Sequence, residues 1–399
     1  REPHPHLLEV KKIYQNIKST LVDKKNLTIR VKNWFDFSDL NEYLLHWSVT
    51  GDDGTIVAEG SKEVTCAPHA VVDITLGAVK LPKTLREAYL NLSWTRVKAT
   101  PLVTSDWEVA YDQFVLPVSK NSWSGKPGKA GNTTFVVDKS TGALKSLCLD
   151  GEELLASPIT LSLFRPATDN DNRDQNGAKL WRQAGLDHLT QKVVSLKEGK
   201  NKTTVKADIL NVEGKKIGNA EFIYALNRDG SMKVQTTFEP DTSLVKSMAR
   251  LGVTFEMKDT YENVTYLGRG EHETYTDRNQ SGKIGIYKTT PERMFHYYVV
   301  PQSTGNRTDV RWLQLTDEHG KGCWIEANSF FQFSTVPFSD VILEKARHIN
   351  ELKRDGKITI HLDAEQAGVG TATCGPGVLP SYLVPLTKQT FDFTIYPVK

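Results

Sequence analysis

Hydrophobic positions alternate with polar ones, or gather in short runs, along the first part of the chain. The clearest of these runs cover residues 27–32, 43–49 and 88–94. A period of two residues is typical of strands with one buried face, and turn residues such as Gly51 and Gly54 separate the runs. We therefore predict an immunoglobulin-like or fibronectin-like sandwich over residues 21–118, with three tryptophans in its core: Trp34, Trp47 and Trp94.

The same short strands continue through the second part of the chain. Typical runs cover residues 135–144, 222–226, 232–238, 313–315 and 391–396. Many strands with little helix need two large sheets packed face to face, so we predict a large β-supersandwich over residues 132–399. Residues 119–131 combine glycines and Pro127 with polar side chains, which makes them a linker. The predicted fold class is all-β.

One segment near the start follows a different period. Leu7, Val10, Tyr14 and Ile17 are spaced by three, four and three residues, as on one face of an amphipathic helix. Nothing nearby in the sequence supplies a partner for that face. We therefore expect residues 1–20 to carry the last helix of a domain that lies upstream.

Charge and cysteine usage exclude several classes of function. Lys and Arg number 50 against 48 for Asp and Glu, so the net charge of +2 gives no field that would gather nucleic acid or anionic lipid. No apolar run approaches the roughly 20 residues that span a bilayer. We expect a soluble protein without nucleic-acid or membrane partners, and both cytoplasm and periplasm stay open. The cysteines lie far apart in the sequence and are expected to be thiols: Cys66, Cys148, Cys323 and Cys374.

Residues 268–278, here called the 268–278 loop, are the strongest candidate for a functional loop. They follow a predicted strand and combine Gly268 and Gly270 with Glu271, His272 and an Asp-Arg pair. Glycine permits sharp bends, so such a loop can bring its polar tip close to another surface.

Three other blocks are rich in polar residues or glycine. Residues 169–173 alternate acids but lack the glycine and glutamate that a calcium loop needs, so a structural role is expected. Residues 301–312 place Arg307, Asp309 and Arg311 at alternate positions, which would face one way if extended. Residues 368–377, the 368–377 loop, complete no nucleotide-binding motif.

Together these blocks resemble the C-terminal portion of glycoside hydrolase family 2 β-galactosidases. The 268–278 loop is similar to the family's Gly-x-Gly-Pro-x-Glu-x-Tyr-x-Asp-Arg signature, and residues 301–312 to its Pro-Gln-Glu-x-Gly-Asn-Arg-x-Asp-Val-Arg-Trp run, with Ser303 as a departure. Residues 180–185 resemble the family's Trp-x-x-Ala-Gly block. Residues 2–12 resemble the segment by which the chain leaves the family's catalytic (β/α)8 barrel. The resemblance covers essentially the whole chain.

The resemblance implies a barrel tail, the family's fourth domain and its fifth domain, a small-chain supersandwich like that of galactose mutarotases. It implies that Gly270, Glu271, His272 and Cys374 bind substrate and shape the aglycone side of a galactoside site. Thr373 to Pro376 resemble one branch of the family, and Cys374 then stands where another branch places a tryptophan wall. A thiol offers much less apolar surface than an indole.

Family resemblance also places the chemistry elsewhere. A retaining β-galactosidase needs two carboxylates about 5–5.5 Å apart. In the family both carboxylates and the magnesium ion belong to the barrel. The resemblance leaves open whether the barrel also binds sodium. No catalytic or metal-binding residue is therefore assigned here, and the isolated chain is expected to be inactive. The expected partners are a galactoside, the barrel domain or a large subunit, and further copies of the chain.

Two alternatives remain open. The chain could be a stand-alone carbohydrate-binding β-sandwich, for which its tryptophans argue. It could also be a galactose mutarotase-like epimerase, with His272 and either Glu271 or Glu273 as its acid and base.

Overall fold

A computed structural model describes residues 3–128 and 132–399 of the chain. The chain divides into two compact units, of which the first ends at Lys126 and also takes in Lys283–Ile286. The second comprises Pro127–Gly282 and Tyr287–Lys399. Their boundary lies inside the predicted linker 119–131. Residues 129–131 of that linker, like Arg1 and Glu2 of the predicted barrel exit, lie outside the described residues.

The first unit is a sandwich of two antiparallel sheets. Its elements are α1 (His6–Ile13), β1 (Ile17–Asp23), β2 (Thr28–Asn33), β3 (Tyr43–Gly51), β4 (Ile56–Glu63), β5 (Val71–Thr75), β6 (Glu87–Arg96) and β7 (Glu108–Pro117). One sheet has the order β1-β2-β5 and the other the order β4-β3-β6-β7. Alternate side chains of β2, β3 and β6 fill the space between the sheets, Ile29, Leu45 and Trp94 among them. The predicted immunoglobulin-like sandwich is confirmed.

The predicted N-terminal helix is shorter than its apolar spacing indicated. Helix α1 ends at Ile13, whereas Ile17 begins β1 and is completely buried in the sandwich core. Burial of Ile17 among the strands outweighs its place in the helical pattern, because tertiary packing overrides local periodicity. The apolar side chains of α1 stay open to solvent, with Leu7 49% and Val10 43% exposed.

Of the tryptophans that were expected in this core, only Trp94 is fully buried. Trp47 is partly buried, and the expectation for Trp34 was wrong, because its side chain is 46% exposed. The ammonium of Lys32 lies 3.9 Å from the centre of the Trp34 ring. Trp34 therefore serves as a surface platform for a lysine stem and charge.

The second unit is built almost wholly from strands. They are β8 (Thr133–Val137), β9 (Leu144–Leu149), β10 (Glu152–Glu153), β11 (Thr160–Ser162), β12 (Thr190–Glu198), β13 (Lys202–Leu210), β14 (Lys216–Leu226), β15 (Met232–Pro240), β16 (Arg250–Lys258), β17 (Asn263–Gly270), β18 (Lys283–Thr289), β19 (Arg307–Thr316), β20 (Gly322–Val336), β21 (Lys357–Gln366) and β22 (Gln389–Val398). The first four residues of β18, Lys283–Ile286, are grouped with the first unit. Three short helices accompany them: α2 (Ala178–Ala184), α3 (Pro291–Met294) and α4 (Asp340–Lys345).

Most of these strands belong to one twelve-stranded sheet with the order β11-β16-β21-β20-β22-β15-β14-β13-β12. Strands β17, β18 and β19 branch from it through β20, and β8 to β10 form a separate small sheet. The large sheet curls around a continuous core whose aromatic members include Phe222, Phe255, Phe333 and Phe393. The predicted all-β supersandwich is confirmed.

Strand β19 departs from the regular alternation that its sequence predicted. Its pairing with β20 shifts register on both sides of Val310, and Asp309 has a φ of 52°. The interruption buries Arg307 and Arg311 but leaves the Asp309 side chain 37% exposed. The prediction that these three residues face one way was therefore wrong, because a bulge changes the direction of the side chains that follow it.

Among the helices of the described residues, none combines the length and the apolar character that a membrane span requires.

Candidate functional site

The 268–278 loop leaves the end of β17 at Gly270, where the backbone passes very close to two tyrosines. A Cβ atom at Gly270 would collide with the Tyr266 hydroxyl and lie 2.9 Å from the ring of Tyr287. Gly270 is therefore required for space, because no larger side chain fits between the strand end and these rings.

Glu271 and His272 follow at the tip, and the structure fixes them differently. The carbonyl of Glu271 accepts a hydrogen bond of 2.9 Å from the buried guanidinium of Arg307, while the Glu271 side chain is exposed. The Nε2 atom of His272 lies 2.7 Å from the Ser281 hydroxyl. The predicted residues Gly270, Glu271 and His272 thus form one fixed turn, with only the Glu271 carboxylate fully presented to solvent.

The carboxylate that holds the loop together is Glu273, which the prediction did not select as a site residue. Its side chain is 4% exposed. Its two oxygens accept four hydrogen bonds, at distances of 2.5–3.1 Å, from the guanidinium of Arg278, the hydroxyls of Tyr298 and Thr304 and the backbone N–H of Gly305. The Glu-x-Tyr-x-Asp-Arg part of the family signature contains both Glu273 and Arg278, and it was the available signal.

The electrostatics of Glu273 follow from these contacts. Burial alone would raise the pKa of its carboxyl, but Arg278, the N–H of Gly305 and the hydroxyl of Thr304 outweigh burial and hold the pKa below its ordinary value. A carboxylate that is saturated with donors is a poor proton acceptor. Glu273 therefore positions the loop and is unsuited to general acid or base chemistry.

Asp277, at the far end of the same loop, joins it to the 368–377 loop. Its two carboxylate oxygens accept hydrogen bonds from the backbone N–H groups of Val369 (3.0 Å) and Gly370 (2.8 Å). A Cβ atom at Gly368 would lie 2.5 Å from the Asp277 carboxyl group. The glycines of the second loop therefore let its backbone wrap around this carboxylate, and the two predicted loops do come together.

Residues 169–174 hold the 368–377 loop from its other side. The amide of Asn170 donates to the carbonyl of Gly370 (2.8 Å) and accepts from the N–H and hydroxyl of Thr373 (3.1 and 2.8 Å). Asp174 accepts a hydrogen bond of 2.6 Å from the N–H of Val378. Cys374 lies exposed at the tip of the loop that these contacts fix.

A fully buried ion pair lies beneath both loops. Arg165 and Asp171 form two parallel hydrogen bonds of 3.0 and 2.8 Å, and their side chains are 0% and 2% exposed. The remaining guanidinium hydrogens bond the carbonyls of Ala367 (2.7 Å) and Gly368 (2.8 Å) and the side-chain oxygen of Gln366 (3.2 Å). The sequence analysis missed Arg165, since its partners at 367 and 368 are some two hundred residues away in the chain.

These hydrogen bonds fix the backbones of both loops, and Glu271 and Cys374 are exposed on them. Within the part of the chain that the structure describes, no three His, Cys, Asp or Glu side chains are grouped to hold a metal ion.

Two family models match the chain. The model described as "Beta galactosidase small chain" matches residues 129–396, and that described as "Beta-galactosidase, domain 4" matches residues 29–117. The small-chain model covers most of the second unit, and the domain 4 model covers most of the first unit.

Curated relatives carry the same name. The chain is 30% identical over 388 residues to a "Beta-galactosidase" of Priestia megaterium, covering 92% of this chain and 37% of the relative. The chain is 29% identical over 401 residues to a "Beta-galactosidase" of Aeromonas hydrophila, covering 93% of this chain and 38% of the relative. The chain thus spans about two-fifths of the length of the curated relatives it matches. Among solved structures, a GalM/aldose epimerase homologue from C. elegans aligns at 11% identity and a TM-score of 0.37, covering 66% of this chain and 95% of that one.

Proposed function

Since the chain belongs to the β-galactosidase family, we propose that it is the C-terminal, non-catalytic part of a retaining β-galactosidase of glycoside hydrolase family 2 and shapes the aglycone side of its active site. The substrate is then a galactoside such as lactose. The catalytic carboxylates and the magnesium belong to a (β/α)8 barrel, supplied by an upstream domain or a large subunit.

The observation that carries this proposal is the joining of the two loops through Asp277. The Asp277 carboxylate binds two consecutive N–H groups of the 368–377 loop, and we propose that this link holds Glu271 and Cys374 on one rim of the active site. A rim of fixed geometry is what a substrate-positioning wall needs, since small displacements of such groups reduce the rate strongly. Gly270 and His272 belong to the same fixed turn and complete the proposed binding residues.

Exposed apolar side chains support a protein partner for each unit. In the first unit these are Leu7 and Val10 of α1. In the second they are Val299, 80% exposed and next to Tyr298, and Leu379, 56% exposed and next to Val378. Contiguous exposed apolar side chains, as on α1, are typical of interaction surfaces, whereas single ones are common on any protein. We propose that a catalytic domain covers them.

The two alternatives find less support. An epimerase would need a histidine and a carboxylate free to exchange protons. Glu273 is saturated by donors and His272 bonds Ser281, which leaves Glu271 as the remaining carboxylate for that role. A stand-alone sugar-binding sandwich would need an aromatic platform free for a sugar. Trp34, 46% exposed, already has the Lys32 ammonium 3.9 Å from the centre of its ring.

The test is Cys374→Trp in the complete enzyme, with kinetics on lactose and on a nitrophenyl galactoside. An indole adds apolar surface at about 25 cal/mol per Å², so we expect kcat/KM to change by about three- to tenfold, by different factors for the two aglycones. The matched control is Val194→Trp, which adds the same side chain at an exposed position of β12. If Cys374→Trp left kcat/KM unchanged from that of the natural enzyme with both substrates, the proposal would be contradicted.

A further inference from the structure

A cleft of about 630 Å³ opens in the second unit, separate from the two loops. One wall is formed by residues 160–164, which contain β11, and the opposite wall by residues 186–191, which lead into β12. Strands β11 and β12 stand at the two ends of the main strand order of the twelve-stranded sheet. The start of α4 closes one end of the cleft, and no residue of the 268–278 or 368–377 loop lines it. Its volume lies within the range of small-molecule sites, about 300–1,000 Å³.

Two polar side chains from different parts of the cleft can bond a ligand. The carbonyl oxygen of the Gln191 side chain is buried and has no hydrogen-bond partner among the described residues. A buried polar atom without a partner costs about 1–3 kcal/mol, so this oxygen points to a group that binds from within the cleft. Ser162, which also lines the cleft and is 6% exposed, offers a hydroxyl that can donate and accept.

Asp340, the first residue of α4, supplies a third polar group. One of its carboxylate oxygens accepts a hydrogen bond of 3.1 Å from the Nε2 atom of His361, which is 2% exposed and lies behind it. Burial would raise the pKa of Asp340, but His361 and Arg250 outweigh burial and hold the pKa below its ordinary value. Asp340 therefore lines the cleft as an ionised hydrogen-bond acceptor.

The other carboxylates of the cleft also have their own partners. Glu344 lies 2.5 Å from the guanidinium of Arg182, and Asp187 lies 3.0 Å from the Nδ1 atom of His188. Glu344 therefore needs no cationic ligand, and Lys345, which also lines the cleft, disfavours one. A neutral ligand suits this balance better than an amine, since ion pairs form where a charge lacks compensation.

The walls between these polar groups are apolar. Pro158, Leu163, Phe164, Leu186 and Leu189 line the cleft, so a ligand must combine an apolar face with hydroxyls that both donate and accept. A pyranose ring has both properties. We propose that this cleft binds a neutral sugar of one or two pyranose rings, held by Ser162, Gln191 and Asp340. This site is additional to the rim assigned under the proposed function and does not depend on it.

The test uses the 399-residue chain with galactose and lactose as probes. Crystals soaked in either sugar should show it between residues 160–164 and 186–191, and ligand-observed NMR should show saturable binding. Gln191→Leu keeps a side chain of similar volume but removes its hydrogen bonds, and should weaken binding by about tenfold. Asp340→Asn keeps the volume of the carboxylate and should weaken binding less. Val194→Ala, at an exposed position of the same strand that does not line the cleft, is the matched control.

Thermal unfolding and circular dichroism identify any variant that loses the fold. If either Gln191→Leu or Asp340→Asn does so, binding is compared with the other of the two. Binding that Gln191→Leu or Asp340→Asn weakens, but Cys374→Trp leaves unchanged, would support the cleft. Binding that responds only to Cys374→Trp would overturn it while leaving the proposed function intact. The absence of sugar from soaked crystals, or an extended peptide bound between β11 and β12 instead, would also overturn it.

Discussion

Two buried ionic clusters of the second unit differ in how completely their polar atoms are bonded. In the first, Glu273 accepts four hydrogen bonds from neighbouring donors. In the second, Asp363 accepts one, from Gln366 at 3.0 Å, and its other oxygen is unpartnered within the described residues. Arg250 lies 3.7 Å from Asp363, and its Nε and Nη1 atoms are unpartnered as well.

The same degree of burial therefore has opposite consequences. At Glu273 the donors outweigh burial and lower the carboxyl pKa, whereas at Asp363 burial outweighs Arg250 and His361 and raises it. A saturated carboxylate fixes the backbone around it and cannot readily take up a proton. An unsaturated one keeps capacity for water, a proton or a ligand. The separate pair of Arg165 and Asp171 resembles the Glu273 cluster in this respect, because its two hydrogen bonds are parallel and short.

The largest effect should come from breaking the most saturated pair. Arg165→Met leaves Asp171 buried without a counter-charge and removes two anchors of the 368–377 loop. We expect the free energy of unfolding to fall by about 3–5 kcal/mol. Denaturant titration of the 399-residue chain measures it.

Arg250→Met is the matched variant in the unsaturated cluster. It should cost clearly less, because the Nε and Nη1 atoms of Arg250 have no acceptors to lose. An equal or larger loss in Arg250→Met would show that hydrogen-bond saturation does not distinguish the two clusters.

A smaller effect, with a defined pH dependence, is expected for Glu273→Gln. The lowered pKa means that ionised Glu273 stabilises the fold fully above the ordinary glutamate pKa of about 4.3, and that this stability is lost as pH falls through the folded-state pKa. The variant should be about 2–3 kcal/mol less stable at pH 7, and the difference should shrink towards pH 3.

Thermal unfolding from pH 3 to pH 7 measures this dependence. The control is Glu271→Gln, an exposed carboxylate two residues away, which should change stability by less than about 0.5 kcal/mol. A difference between Glu273→Gln and the natural chain that does not vary with pH would be inconsistent with the saturated carboxylate.

The smallest effect is expected for Asp363→Asn, and its pH dependence should have the opposite sign. A raised pKa means that Asp363 favours the fold below the ordinary aspartate pKa of about 3.9, and that this contribution is lost as pH rises through the folded-state pKa. At pH 7 the variant should be within about 1 kcal/mol of the natural chain, or more stable. A large loss at pH 7 in the same unfolding series would mean that Asp363 is ionised and well bonded.

The fold was accessible from the sequence because it rests on local periodicity. Strands β2, β3 and β6 lie where alternation predicted them, and residues 119–131 contain the boundary between the units. The exceptions were positions where packing overrides a local pattern. Ile17 joins the sandwich core instead of the helix, and the bulge at Asp309 breaks the alternation of β19.

The candidate site was accessible only in part. Its loops could be found as polar blocks, but composition does not show which carboxylate is buried. Glu271 and Glu273 are two residues apart, yet the first is exposed and the second is bonded to residues 298–305. The bonds of Arg165 to positions 367 and 368 join distant parts of the chain, so no local pattern indicates them.

The contacts of Asn170 have a consequence for how this family can diverge. They hold the 368–377 loop through the carbonyl of Gly370 and through Thr373, and the thiol of Cys374 takes no part in them. Selection can therefore exchange the residue at position 374 at little cost to folding. The loop thus has one position at which single mutations can change the exposed surface, while the backbone frame around it stays intact.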